Sequence, residues 1–255
     1  MSEQANRVAV VTGAGSGMGA ASAEALAEAG FALMLAGRRE EKLEETRASV
    51  LEKHPDAKVE IRPTDVADPA ECEALVAAAV ERLGGVDVAV TAAATFEPVH
   101  TLEMTAEAWD ACLDIVLRGS LLVAVAAAKR MRDAGGGRII FVSSINGAVS
   151  EPETAHYSAA KAAINSLARS LAVDLAAHRI PVNAVSPGWV DTPMIAEFVA
   201  EATPEDLGRI NPLARLGQPR ELAGVIAYLA SDAPEFLTGS TLYVDGGQTA
   251  IAPVP

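Results

Sequence analysis

Tyr157 and Lys161 stand four positions apart in the stretch "HYSAAK", His156 to Lys161. Four residues are just over one helical turn, so on a helix the phenol and the ammonium share a face. A free tyrosine keeps its proton to about pH 10 and is a poor acid–base group at neutrality. A cation one turn away favours the phenolate and is expected to bring that value down toward the working range. The pair therefore suits proton exchange with a substrate oxygen. Ser158, Ala159 and Ala160 between them are compact. A lysine snorkelling over an aromatic ring is the plainer reading of the pair taken alone.

A second motif weighs against that plainer reading. "VTGAGSGMGA", Val11 to Ala20, follows an apolar strand pattern and opens a helical one. In a dinucleotide fold Gly13 permits the tight turn, Gly17 lets backbone approach the pyrophosphate, and Gly19 lets the helix pack on the sheet. Phosphate charge would rest on free N–H groups at the helix start. The next strand ends "LMLAGRREE", with Gly37 where NAD-binding folds carry an acid, followed by Arg38 and Arg39. Arginines there suit a 2′-phosphate, so NADP(H) is favoured and NAD(H) remains open. Glu40 and Glu41 fit the first turn of a helix and its dipole.

These residues need a scaffold, and the pattern of the chain supplies one. The chain has 255 residues, half of them apolar. Strand patterns fall at Arg7–Thr12, Phe31–Ala36, Lys58–Arg62, Val86–Thr91, Arg138–Ser143, Ile180–Ser186 and Thr241–Val244. Helical patterns fill Gly17–Ala29, Glu40–Lys53, Pro69–Leu83, Thr105–Asp133, Ala155–Ala177 and Arg220–Ser231. Strands that are apolar throughout belong in a parallel sheet covered on both faces. The expected architecture is α/β: a Rossmann-like, doubly wound parallel sheet of about seven strands in a single domain spanning 1–255. One excursion, at about 188–217, is broken by prolines and reads as a substrate lid. Its apolar members include Trp189, Met194, Ile195, Phe198 and Val199.

Composition narrows the partners. A net charge of −14 argues against nucleic acid or an anionic membrane as partner. No apolar run approaches the length of a membrane span. Cys72 and Cys112 have no ligand partners nearby in sequence, so neither a metal site nor a disulfide framework is expected. The cytoplasm is the expected compartment.

At this point the residues resemble the short-chain dehydrogenase/reductase family, in its shorter single-domain branch, over nearly the whole chain. "TGAGSGMG" is similar to the family's TGxxxGxG loop, and Ser144, Tyr157 and Lys161 to its catalytic serine and Tyr-x-x-x-Lys. Asp65-Val66 resembles the adenine-contacting pair, "SPGWVDTP" the nicotinamide turn, and "YVDGG" the last strand. The resemblance implies cofactor contacts from Gly13, Ser16, Gly17, Met18, Gly19, Asp65, Val66, Ala92, Ala93, Tyr157, Lys161, Pro187, Gly188, Val190 and Thr192. It also implies that Lys161 binds ribose hydroxyls and that the chain assembles as a homotetramer or homodimer.

Two departures stand out. The family's Asn-Asn-Ala-Gly is here "TAAA", Thr91 to Ala94, where Thr91 can still hydrogen-bond locally and Ala94 brings a methyl group where a glycine is usual. The family's fourth catalytic residue, an asparagine holding a relay water, aligns with Val116. Candidate substrate contacts are Thr95, Phe96, Ile145, Asn146, Glu151, His156, Trp189, Met194 and Phe198. Together they suggest a medium-sized, largely apolar ketone or its secondary alcohol. A cofactor-binding sensor that has lost turnover is the alternative.

Overall fold

A computed structural model of the chain describes residues 7–196, 200, 203, 206 and 209–250. Phe198 and Val199 lie outside the described residues.

Seven strands form one all-parallel sheet: β1 (Val8–Thr12), β2 (Ala32–Gly37), β3 (Val59–Pro63), β4 (Val88–Thr91), β5 (Arg138–Val142), β6 (Val182–Pro187) and β7 (Thr241–Val244). Their spatial order is β3-β2-β1-β4-β5-β6-β7. The order reverses between β1 and β4, and ligands of open α/β sheets bind at the carboxyl ends of strands flanking such a reversal. Strands β1, β4 and β6 are buried along their whole length, as a parallel sheet covered on both faces requires.

Helices α1 (Gly17–Glu28), α2 (Glu40–Lys53) and α3 (Pro69–Leu83) precede the helices of the active-site half. Helix α3 shows how local chemistry sets an element. Asp68 caps it, accepting from Ala70 N at 2.7 Å; Pro69 opens its first turn, and Gly84 ends it in the left-handed region. The later helices are α4 (Ala106–Leu113), α5 (Ser120–Ala134), α6 (Ala155–Leu175) and α7 (Pro219–Ala230). Two apolar cores result, one on each face of the sheet.

The expected single helix over Thr105–Asp133 is interrupted. Residues Asp114–Gly119 form a π-helical turn between α4 and α5. Ser120 Oγ donates to Val116 O at 2.8 Å, satisfying a carbonyl inside the widened turn. Gly119 in that turn meets Val66 so closely that a Cβ would lie 2.7 Å from its side chain.

The stretch Ala106–Ala134 also corrects the expectation about apolar length. An 18-residue window within it has mean hydropathy 1.9, enough by length and composition to cross a bilayer. Half of that window is buried in the fold, where α5 contributes Val123, Ala124, Ala127 and Met131 to one core. A core helix shows the same apolar signature.

The excursion after β6 is closed at its base. Asp191 N donates to Gly217 O and Gly217 N to Trp189 O, both at 2.9 Å, so the segment leaves and returns at one point. Pro193–Ile195 form a short 3₁₀ turn within it.

Candidate active site

The glycine loop joins β1 to α1 beneath the reversal in strand order. Gly13 has φ +66°, and a Cβ there would lie 2.6 Å from Ala92 O. At Gly19 a Cβ would lie 2.2 Å from Gly13 O. Both positions therefore exclude any side chain, and the loop is drawn tight against the end of β4. Thr12 Oγ1 completes the junction, accepting from Ala92 N at 3.2 Å and Ala93 N at 3.3 Å.

Ser16 caps α1 without a side-chain hydrogen bond, and the first turn of α1 contains no acid. Its first N–H groups are therefore left for an anion. An open cleft lies over them, lined by Gly13, Gly15, Ser16, Gly17, Met18 and Gly19. At one end it reaches Arg38, Arg39 and Lys42; Asp65, Val66, Ala92 and Ala93 form one wall; Tyr157, Lys161 and Thr192 stand at the other end. Among the described residues Arg38 and Arg39 are exposed and make no ion pair, whereas Lys42 pairs with Glu45. The bare helix start, the glycine cradle and the unpaired guanidiniums fit a dinucleotide.

Tyr157 and Lys161 share a face of α6, as their spacing requires. Tyr157, Lys161, Ile164, Ala168 and Ala172 form its buried stripe. Lys161 is 3% exposed, and its Nζ donates to Val142 O at 2.8 Å and lies 5.4 Å from the Tyr157 ring centroid. Ser144 follows β5 and caps a 3₁₀ turn, Ile145–Gly147, by accepting from Asn146 N. That turn is seated on α6: a Cβ on Gly147 would lie 2.9 Å from Lys161 O. Ser143 Oγ also donates to Lys161 O, and Ser186 Oγ to Ser144 O. The serine and the Tyr/Lys helix are thus held in one rigid unit.

A second, smaller and mostly apolar cavity opens on the other side of Tyr157. Ser144, Phe96, Ile145, Asn146, Glu151 and Trp189 line it, together with Met18, Thr192, Met194 and Ile195. Phe96 meets Tyr157 edge-on, with ring centroids 5.2 Å apart. Trp189 Nε1 donates to Glu151 Oε1 at 2.8 Å. Tyr157, Met18, Thr192 and Met194 border both cavities.

Burial, not the neighbouring cation, dominates the titration of the pair in the cofactor-free chain. It pushes Tyr157 well above the ordinary tyrosine range, against a lowering pull from the Ser144 hydroxyl, while the nearby Glu151 charge adds to the rise. The expected lowering by Lys161 is therefore overturned here. Burial likewise pushes Lys161 down to about 8.

The structure redistributes several expected contacts. Pro187, Gly188 and Val190 line the apolar cavity and not the glycine-loop cleft. His156 is buried and lines neither cavity, and Thr95 borders neither. His156 sits one position from Tyr157 and so falls off the face that α6 turns to the cavities. Thr91 does not find the expected local partner: its Oγ1 is buried without a hydrogen bond. Val116 is 1% exposed and packs with Cys112, Ala160 and Tyr157. Lys42 and Ile115 are cleft residues that sequence reasoning missed. Lys42 could have been found from its position one turn beyond Arg38 and Arg39 on α2.

A dinucleotide cleft opening onto an apolar cavity across one tyrosine places the chain among the Rossmann-type oxidoreductases. Comparison with known proteins agrees. A family profile described as enoyl-(acyl carrier protein) reductase matches residues 13–249. A cis-4-hydroxycyclohexanecarboxylate dehydrogenase from Sinomonas cyclohexanicum is 44% identical over 97% of this chain and 98% of its own. The crystal structure of levodione reductase superposes with a TM-score of 0.91 at 35% identity, covering 96% of this chain and 98% of that one. An actinorhodin polyketide ketoreductase variant solved with NADPH gives 0.91 at 35%, covering 98% and 100%. The chain belongs to the short-chain dehydrogenase/reductase family. It is a short-chain alcohol dehydrogenase or carbonyl reductase, of a family that uses NAD(P)(H).

Proposed function

We propose that the protein interconverts a medium-sized, largely apolar cyclic ketone and its secondary alcohol with NADP(H), using Tyr157 as the general acid and base. The observation that carries this reading is the position of Tyr157, on the border of both cavities and beside Ser144.

The bound cofactor would supply or accept the hydride. Ser144 Oγ hydrogen-bonds the substrate oxygen and fixes the carbonyl carbon over the cleft. In reduction Tyr157 gives its proton to the oxygen as negative charge builds there; in oxidation it takes that proton back. Lys161, anchored on Val142 O, lines the cleft beside Tyr157, where ribose hydroxyls would meet its Nζ. Phe96, Ile145 and Trp189 exclude water and grip an apolar ring. The excursion at 188–217, pinned at Trp189 and Gly217, serves as the lid.

Arg38 and Arg39 at the cleft end, with Gly37 where an acid would oppose a 2′-phosphate, support NADP(H). The ring substrate is supported by the named activity of the relative from Sinomonas cyclohexanicum. The apolar groove between α5 and α6, lined by Ala124, Val125, Ala128 and Leu171, supports assembly through these helices into a homotetramer. The test is NADPH consumption, followed by absorbance, with cyclohexanone and substituted cyclohexanones, beside NADH under the same conditions. Tight NADPH binding without consumption across that panel would favour the sensor alternative, for which the apolar Val116 against Tyr157 speaks.

A further inference from the structure

The two cavities differ in charge as well as in polarity. The cleft carries Arg38, Arg39 and Lys42 at its far end. Among its described lining residues the apolar cavity has no lysine, arginine or histidine, and Glu151 is its one carboxylate. Glu151 is fixed from two directions. Its backbone carbonyl accepts from Thr154 Oγ1 at 2.7 Å, and Oε1 accepts the Trp189 indole N–H at 2.8 Å. Among the described residues Oε2 has neither a hydrogen bond nor an ion-pair partner, and the Glu151 charge reaches Tyr157.

The sequence around the cavity mouth has the same sign. Residues 95–105, 145–156 and 188–196 contain no lysine or arginine. The first carries Glu97 and Glu103, the second Glu151 and Glu153, and the third Asp191. An anionic substrate would lose its hydration beside a fixed carboxylate with no cation to receive it. A neutral substrate would lose nothing by charge, and a donor on it could be accepted by Oε2.

We propose that Glu151, oriented by Trp189, is a specificity-determining residue that makes the cavity select uncharged ring ketones bearing a hydrogen-bond donor and reject carboxylates. This rests on the ketone–alcohol reading above, names the substrate class within it, and departs from the carboxylate in the name of the Sinomonas cyclohexanicum relative.

Three probes of one skeleton test it: 4-oxocyclohexanecarboxamide, ethyl 4-oxocyclohexanecarboxylate and 4-oxocyclohexanecarboxylate. Turnover is read from NADPH consumption, and affinity from calorimetry on the full chain with NADP⁺, where no hydride can move to the ketone. The carboxamide is expected to exceed the carboxylate by at least about tenfold in both kcat/KM and affinity, with the ester between them. In Glu151→Gln, which keeps an acceptor for Trp189, the ratio should shrink to within about threefold. Glu153→Gln, an exposed acid two residues away, should leave it unchanged.

Equal affinity for carboxylate and carboxamide, or a ratio that survives Glu151→Gln, overturns the inference. Discriminated binding without NADPH consumption overturns the redox reading and leaves the charge filter standing. Consumption without discrimination does the reverse.

Discussion

On the glycine-loop side of Tyr157, position is set by backbone. A Cβ on Gly13 or Gly19 would strike the main chain, and Thr12 ties the loop to Ala92 and Ala93. On the opposite side, position is set by side chains brought from three separate segments: Phe96 after β4, Ile145 and Glu151 after β5, and Trp189 after β6. The first arrangement leaves little freedom for sequence to vary, because a shared cofactor needs the same cradle. The second lets each loop change its side chains while the sheet stays put, so that substrate choice can differ between chains of one fold. Tyr157 sits on the boundary and borders both, with Lys161 on its cleft side.

The sharpest way to break this division is to cut it at the boundary. Tyr157→Phe should lower kcat about a thousandfold, the usual scale for losing a positioned acid–base group. NADPH affinity, read by fluorescence titration, should hold within about twofold because the cradle is untouched. Redox activity that survives on a verified substrate would remove the proposed mechanism.

The next largest effect concerns Lys161 in the cofactor-free chain. Its folded value lies near 8, while the unfolded chain keeps the proton to about 10.5. Between those values the unfolded state binds more protons, so raising pH through that window favours the folded chain. The stability of wild type relative to Lys161→Met should therefore rise between pH 8 and 10.5, by on the order of 3 kcal/mol. Denaturant titrations of both chains at pH 7.5 and 10 measure it. A difference independent of pH would show that Lys161 is better hydrated than its burial implies.

Most of the backbone-set half was legible in the sequence, and the reason is physical. The glycine loop, the apolar strands and the Tyr/Lys spacing are local patterns whose meaning depends on a few adjacent residues. Their predicted places held to within two residues at β1, β2 and β3. The side-chain-set half was less legible. The Trp189–Glu151 hydrogen bond joins residues 38 apart and has no local signature. The π-helical turn at Asp114–Gly119 lies inside an unbroken helical pattern, because a widened turn needs no change of residue type. His156 looked like a pocket residue because it adjoins Tyr157 in sequence, yet one helical position is about a quarter turn. Thr91 looked satisfied because threonines usually find a nearby acceptor, but its Oγ1 is walled in without one.

The adenine end of the cleft tests the cofactor side at smaller amplitude. Arg38→Ala with Arg39→Ala should weaken NADPH about ten- to hundredfold, the scale of losing charge-assisted contacts to a phosphate. NADH should change little, since it offers no 2′-phosphate. Competition titrations with both cofactors decide it, and equal losses for the two would assign the arginines to general electrostatics. Lys42 remains in the double variant, so an incomplete loss is expected.

Val116 carries the smallest predicted change and the closest test of the boundary itself. Its side chain packs against Tyr157, Cys112 and Ala160, and Ser120 already occupies its carbonyl at 2.8 Å. Neither group offers a relay water much to hold, so the proton supply to Tyr157 must come through Lys161 and the cleft. Val116→Asn adds a donor and an acceptor at that place. A water bound there would open a second route, raising kcat by about two- to fivefold and changing the solvent isotope effect. The same substitution buries an amide among apolar neighbours and should cost about 1–3 kcal/mol of stability. The two readouts separate the roles: a stability loss with unchanged rate and isotope effect would make Val116 packing alone, and would leave proton supply to the cofactor side of the tyrosine.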